Sequence, residues 1–223
     1  MTTQLQARWD LLLLLSLVLL ILMYPVMDHG DITRLLLGAL TFAPVILVTI
    51  RMSQLKSWIL PTFLLMSGSV IVAAVNTFLR NPILTGIKWA ILAVFFALSV
   101  AALFRYLQNS RAIRSEHLYT AINIYLMMAV QWFALYSAID VFVPGSFHVS
   151  TSLATDRQTE LLYFSLVTLS TLGTGNIVAL RAEVRMLAAL QAIAGVLYIA
   201  ITVALLVSSY KQQSLSNETV EDK

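Results

Sequence analysis

Residues 158–176 read QTELLYFSLVTLSTLGTGN, and this stretch decides how the chain is organised. Its first part, 158–170, is apolar but only about thirteen residues long, whereas a helix that spans a bilayer needs about 20. A segment this short and this apolar predicts a re-entrant helix, which enters the bilayer and stops partway. The alternative, an ordinary glycine-rich turn between helices, does not explain the short apolar segment that precedes it.

The loop that follows, Thr171 to Asn176, predicts an unusual backbone. Non-helical backbone at membrane depth is tolerated only where it is buried in protein or lines a water-filled path. Glycines at 173 and 175 permit positive φ at every second residue, so that successive carbonyls can point in one direction. Rings of such carbonyls from four chains can replace the hydration shell of a cation.

The composition of the whole chain is that of a membrane protein. Of its 223 residues 59% are hydrophobic and only 11% are charged, whereas soluble domains have about 25% charged residues. The sequence predicts an all-α membrane fold with six transmembrane helices, and it places the re-entrant helix and loop between the fifth and the sixth. The predicted spans are Trp9–Met27, Ile32–Ile50, Trp58–Phe78, Ile83–Leu107, Leu118–Val143 and Val184–Tyr210.

The loop charges give the orientation. An even number of spans places both termini on one side, and the Lys and Arg residues divide eight to six in favour of that side. By the positive-inside rule we expect cytoplasmic termini. We expect the first span to be retained in the mature chain, because its exit has no small-x-small cleavage pattern. We also expect the polar tail 211–223 to be disordered.

Several functions are not expected from this sequence. The chain has no cysteine, and His29, His117 and His148 lie far apart, so we expect no metal site beyond one for a permeant ion. The net charge of +3 is spread over loops and does not predict nucleic-acid binding. The spans contain few acidic residues, with Asp10 and Asp140 near segment ends, so a membrane enzyme is not expected.

The first four spans lack the pattern of a voltage sensor. Such a sensor needs regularly spaced arginines inside a membrane helix, but the fourth span has only Lys88 and Arg105, near its two ends. Arg111 and Arg114 follow in a polar linker and indicate cytoplasmic anchors. We therefore expect no strong voltage gating. Asn76, inside the third span, is expected to bond to a neighbouring helix.

Spans five and six, with the loop between them, resemble the pore domain of the potassium channel superfamily. The resemblance covers about Leu118 to Tyr210. In particular, this region resembles small bacterial ion-channel proteins with a pore of the Leu-Leu-Tyr-Phe-Ser-Leu-Val-Thr-Leu-Ser-Thr-Leu-Gly type. The resemblance implies a two-helix pore domain at 115–210. The first four spans show no specific match to the family, and the apolar segments alone predict a four-helix transmembrane region at 1–114 and a short cytoplasmic tail at 211–223.

The resemblance also implies how such a chain assembles and where. It implies a homotetramer in a lipid bilayer, in a cell membrane that is expected to be the bacterial inner membrane. K⁺ is the expected permeant ion, with Na⁺ as the alternative. No cofactor, nucleic acid or separate ligand-binding domain is expected. The other interpretations are a non-selective cation pore and a non-conducting accessory subunit or transporter-like membrane protein.

The resemblance assigns roles in a selectivity filter to the loop residues. Thr171 would give its hydroxyl and its carbonyl to the innermost ion site. Leu172, Gly173 and Thr174 would give carbonyls to the sites above it. Gly175 would shape the outer mouth.

Four other positions acquire expected roles in the same way. Tyr163 and Phe164 fall where the family has aromatic residues that pack behind the filter, and Val167 falls where some relatives have a carboxylate. Gly195 falls where the family commonly has a hinge glycine in its pore-lining helix. Close helix packing is an equally open interpretation of Gly195, since small residues are common at membrane helix interfaces.

Two residues depart from the family pattern. The family usually has an aromatic residue where this chain has Thr174, and that aromatic braces the filter from outside. We expect threonine to be too short to reach Tyr163, which would leave a looser filter. The family usually has Asp where this chain has Asn176, so that a tetramer would lose four negative charges at its outer mouth.

Overall fold

The computed structural model describes residues 2–25, 43–49, 59–108, 115–150 and 156–221. Helices dominate these ranges, and one small sheet interrupts them. The helices are α1 (Thr2–Met23), α2 (residues 43–49), α3 (Ile59–Leu79), α4 (Pro82–Gln108), α5 (Ser115–Phe142), α6 (Arg157–Leu169) and α7 (Ala182–Glu221). The strands are β1 (Phe147–Val149) and β2 (Ile177–Ala179).

Four of the helices in these ranges are long and apolar enough to cross a membrane. They comprise Leu60–Leu79, Pro82–Gln108, His117–Phe142 and Ala182–Leu205, and they correspond to predicted spans three to six. Predicted span one falls on α1, which is helical as expected. Predicted span two, Ile32–Ile50, lies mostly outside the described residues, so the count of six spans stays a prediction.

Helices α3 and α4 form a hairpin that a side-chain bond closes. The Asn76 amide donates to the hydroxyl oxygen of Thr85 at 2.8 Å, and its oxygen accepts from the backbone N–H of Asn81 at 2.9 Å. The expected bond from Asn76 to a neighbouring helix is thus confirmed. It satisfies polar groups that the bilayer could not hydrate.

Helix α4 lies directly against α5, because a glycine permits close approach. A Cβ at Gly86 would come within 2.6 Å of the Phe142 ring. Further along the same contact, the rings of Trp89 and Phe133 meet edge to face, with centroids 5.1 Å apart. Helix α4 is therefore packed on α5 by apolar groups of complementary shape.

Helix α1 packs against α5 through a buried carboxylate, which contacts the N-terminal part of α5. Thr120 donates to the Asp10 carboxylate at 2.8 Å, and Asn123 donates to the Asp10 backbone carbonyl at 2.7 Å. Asp10 is only 1% exposed. Near the far end of α1, Tyr24 contacts Phe133 edge to face with centroids 5.5 Å apart. The sequence placed Asp10 at a segment end but did not predict this contact.

The short helix α6 begins at a capping residue and covers 13 residues. The Asp156 carboxylate accepts from the backbone N–H of Gln158 at 3.0 Å, which satisfies one of the free donors at the helix start. At 1.5 Å per residue such a helix is about 20 Å long, too short to cross a bilayer. The predicted segment 158–170 therefore matches α6 to within one residue at each end.

The connections on either side of α6 pair with each other as a small antiparallel sheet. In its register His148 lies opposite Val178, and Val149 lies opposite Ile177. The backbone N–H of Ser150 donates to the carbonyl of Asn176 at 2.8 Å and extends this pairing. The sequence did not predict these strands, since strands of three residues give no detectable alternation of polar and apolar side chains.

Helix α7 continues beyond the apolar segment to Glu221. The expected disorder of the tail therefore differs from the structure, in which residues 211–221 are helical. The physical reason is that adding residues to an existing helix is easier than starting a new one. Lys, Gln and Leu, which begin the tail, also have high helix propensity.

Candidate functional site

The loop after α6 has a backbone that alternates in hand. φ is +59° at Thr171, +53° at Gly173 and +80° at Gly175. The glycines adopt these values without steric cost, as their spacing predicted. Thr171 is the third residue with positive φ, and the glycine spacing did not predict it. Positive φ costs a residue with a Cβ about 1–2 kcal/mol, so it is not expected at a threonine.

One backbone carbonyl of α6 holds the loop in this conformation. The Val167 carbonyl accepts from the backbone N–H of Leu172 at 2.8 Å and from that of Gly173 at 3.2 Å. The N–H of Thr171 donates to the carbonyl of Thr168 at 3.0 Å. In the sequence, Val167 stands where some relatives of the potassium channel family have a carboxylate. In the structure that side chain is buried, and its backbone oxygen anchors the loop.

Tyr163 and Thr174 are hydrogen-bonded, and the expectation that threonine is too short to reach Tyr163 is wrong. The Tyr163 hydroxyl donates to the hydroxyl oxygen of Thr174 at 2.9 Å. The loop turns back alongside α6, which brings residue 174 beside the helix face that carries residue 163. The long phenol side chain of Tyr163 therefore reaches the short side chain of Thr174, at the position where the potassium channel pattern has an aromatic residue.

On the filter role that the resemblance implies for this loop, we predict that Tyr163→Phe shifts ion selectivity and leaves the fold intact. The change removes the bond to Thr174 and keeps the ring, and a single such bond contributes about 0.5–1.5 kcal/mol. We expect the Na⁺-to-K⁺ permeability ratio to rise about threefold to tenfold. The measurement is the reversal potential with K⁺ on one side and Na⁺ on the other. The control is Tyr119→Phe, which removes a phenol hydroxyl near the start of α5. Equal reversal potentials in the two variants would contradict the prediction.

Phe164 lies behind the loop in a buried aromatic cluster with Tyr136 and Phe147. The ring centroids of Tyr136 and Phe164 are 5.1 Å apart, those of Tyr136 and Phe147 are 5.5 Å apart, and those of Phe147 and Phe164 are 5.6 Å apart. The three rings come from α5, β1 and α6. The role of Phe164 as a support for a filter stays a prediction.

A buried polar network joins the three helices of the candidate site. Gln191 of α7 donates to the Ser165 carbonyl at 2.9 Å and to its hydroxyl at 3.0 Å, and it accepts from the Tyr136 hydroxyl at 2.7 Å. The Ser165 hydroxyl donates in turn to the carbonyl of Ala129 at 2.7 Å. Gln191, Ser165 and Tyr136 are each fully buried. Sequence reasoning missed Gln191, although a single amide in an otherwise apolar span was the available indication.

Gly195 contacts the last turn of α6. A Cβ at this position would overlap the carbonyl oxygen of Leu169 and come within 3.1 Å of its carbonyl carbon. Gly195 lies one helical turn after Gln191, and Leu169 lies one turn after Ser165, so the two helices touch at two successive turns. The close approach supports the packing interpretation of Gly195.

An ion pair holds the outer end of α6. The Arg157 guanidinium donates to both carboxylate oxygens of Asp140, at 2.7 and 3.0 Å, and to the carbonyl of Phe147 at 3.1 Å. The bonds to Asp140 raise the pKa of Arg157. One side chain therefore joins the end of α5, the start of α6 and strand β1.

We predict that Asp140→Asn lowers the free energy of unfolding by about 1–2 kcal/mol. Hydrogen bonds to charged groups contribute about 1.5–3 kcal/mol, and partial solvent exposure of the pair reduces this value. The measurement is the thermal midpoint of the purified protein in detergent. Arg181→Gln serves as the control, since Arg181 and Glu183 form an exposed pair at 3.5 Å. A midpoint as high in Asp140→Asn as in Arg181→Gln would contradict the prediction.

The loop residues present an open surface in the single subunit. Residues 170–176 are all exposed, and the apolar side chain of Leu172 is 69% exposed. The described residues of the same chain therefore leave most of this side chain uncovered. No group of three His, Asp or Glu side chains that could hold a metal ion occurs within the ranges that the structure describes.

Comparison with known proteins agrees with the geometry of this region. Residues 121–212 match a family model described as ion channel. The match spans most of α5, the sheet, α6, the loop and most of α7. No curated protein and no solved structure matches significantly. The matched segment, which is less than half of the chain, is therefore similar to a domain of ion channels.

Proposed function

We propose that this chain, in which residues 121–212 match a family model described as ion channel, assembles as a homotetramer that conducts K⁺. The filter would be Thr171–Gly175, with Asn176 at the outer mouth. The observation that carries the proposal is the alternation of positive φ at 171, 173 and 175. This backbone can present successive carbonyls to one axis, where four copies would replace the hydration shell of a cation.

The end of α6 supports a cation path electrostatically. This helix ends at Leu169, immediately before the loop, and the C-terminal end of a helix has a partial negative charge of about half an electron. Four such ends would face the inner side of the filter. Dehydration at the filter and repulsion between ions in neighbouring sites would then drive conduction.

The bond between Tyr163 and Thr174 favours a filter that discriminates between cations. It ties the loop to α6 at the position where the missing aromatic residue would act. The pairing of Ser150 with Asn176 fixes the outer end of the same loop. Both contacts oppose widening of the filter, and so they favour selectivity for K⁺.

A non-selective cation pore is the second candidate, and Asn176 is the observation that favours it. An uncharged outer mouth attracts cations less strongly than a ring of carboxylates does. In either case strong voltage gating is not expected, because α4 carries only Lys88 and Arg105 as basic residues. A non-conducting accessory subunit or transporter is the remaining alternative.

The test compares two glycine substitutions. Gly173→Ala places a Cβ on a residue with φ of +53°, which costs about 1–2 kcal/mol in each of four subunits. We expect conductance to fall at least tenfold or selectivity to be lost. Gly68→Ala is the matched control, because Gly68 lies within α3 and a Cβ there meets no atom within 4 Å. Wild-type conduction by Gly173→Ala would refute the role of this loop as the filter.

A further inference from the structure

Two crevices flank the exposed loop. The first, of about 380 Å³, is lined by Glu160, Tyr163 and Asn176, and also by Ile21 of α1 and Pro25, which follows that helix. The second, of about 300 Å³, is lined by Gly173, Gly175, Arg185 and further apolar residues. The two crevices have no lining residue in common. Each is open in the single subunit and directly adjoins the loop that would form the filter.

Closed rotational symmetry determines which of these surfaces meet. In a cyclic assembly larger than a dimer, a surface on one side of each subunit contacts a different surface on the next. When the exposed loop faces the symmetry axis, the surfaces beside it on either flank become the contacts between neighbours. The first crevice of one subunit would therefore face the second crevice of the next.

The two crevices have opposite charge. The first contains the carboxylate of Glu160, which is only 9% exposed. The second contains the guanidinium of Arg185, which is exposed and has no ion pair within the part of the chain that the structure describes. A carboxylate accepts several hydrogen bonds, so contacts of Glu160 within its own subunit leave capacity for a further donor.

We propose that Arg185 of each subunit enters the first crevice of its neighbour and pairs there with Glu160. The inference rests on the proposed tetramer and specifies its interface. The pair would connect the outer end of α7 in one subunit with the first turn of α6 in the next. Four such pairs would form a ring around the filter, in which each α6 is held by its own Arg157 and by a neighbour's Arg185.

Cysteine trapping tests this contact directly, because the chain contains no cysteine. In the double variant Glu160→Cys, Arg185→Cys, a short thiol-reactive cross-linker should join neighbours and give covalent dimers, trimers and tetramers on a denaturing gel. Either single variant should give none of the larger species. The matched control is Glu160→Cys with Arg181→Cys, which moves the second thiol by one helical turn.

A double-mutant cycle on the subunit dissociation constant provides a second test of the pair. Glu160→Gln and Arg185→Gln should each raise the subunit dissociation constant about tenfold, since four pairs are lost at once. The dissociation constant of the double variant should be no higher than that of the single variant with the higher value, because a pair can be lost only once. A double variant whose loss equals the product of both single losses would overturn the inference, as would absence of cross-linked tetramer.

These outcomes separate the interface from the function. A wild-type tetramer without the cross-link or the coupling would refute the pair between Glu160 and Arg185 and leave the proposed channel intact. A wild-type protein that stays monomeric at every concentration would refute both. Circular dichroism of each variant establishes that the helices have formed before its assembly is compared.

Discussion

If the chain forms the proposed pore, replacement of Gly195 by alanine should abolish conduction or make the pore non-selective. The added Cβ would overlap the carbonyl oxygen of Leu169, and a backbone atom cannot rotate away as the end of a side chain can. Either α7 or the end of α6 must move, and overpacking of this kind costs about 1–3 kcal/mol per subunit. Because Leu169 immediately precedes the loop, the displacement reaches Thr171. Single-channel recording and the reversal potential measure the effect.

The same variant separates packing from a hinge. A hinge glycine that is replaced by alanine should lower the open probability but leave the conductance and selectivity of each opening unchanged. If Gly195 instead serves close packing, the remaining openings should have an altered single-channel conductance and an altered selectivity. Gly68→Ala is again the control, since it adds a methyl group to a membrane helix without a contact. Wild-type selectivity in Gly195→Ala would contradict the packing role.

Gln191→Leu should destabilise the assembly strongly and disturb the pore as well. Leucine leaves the Tyr136 hydroxyl without its acceptor and removes both donors to Ser165, in a region that water does not reach. Each buried polar group left unpaired costs about 1–3 kcal/mol, and we expect a loss of about 2–4 kcal/mol for each subunit. The measurements are the thermal midpoint of the purified protein and the ratio of its Na⁺ and K⁺ permeabilities.

A double variant identifies the network as the cause. Tyr136→Phe removes the hydroxyl that Gln191→Leu would leave without a partner. The two changes together should therefore cost about 1 kcal/mol less than the sum of the single changes. Strict additivity would mean that the buried bond between Tyr136 and Gln191 does not contribute, and that the loss arises from packing alone.

The sequence predicted the local features of the site better than its contacts. The length of α6 and the glycines at 173 and 175 were sufficient to predict a half-helix and an alternating loop, because both depend on neighbouring residues. The bond from Tyr163 to Thr174 depends on how the loop folds back on α6. Gln191 shows the same limit: its spacing places it on a helix, but which partners it meets depends on packing between helices.

The sheet and the tail illustrate two other limits of sequence reasoning. Strands of three residues have too little periodicity to be recognised, and β1 and β2 are held by pairing between segments far apart in sequence. The tail appeared disordered from its polar composition, yet it continues a helix that the apolar part of α7 has already formed. The second predicted span lies mostly outside the described residues.

The most direct test of the central proposal is the reversal potential of the purified wild-type protein in a planar bilayer, with K⁺ and Na⁺ gradients opposed. The braced loop, with Tyr163 bonded to Thr174, predicts discrete single-channel currents that reverse close to the K⁺ equilibrium potential. Single-channel currents that reverse near zero would contradict a K⁺-selective filter and establish a non-selective cation pore.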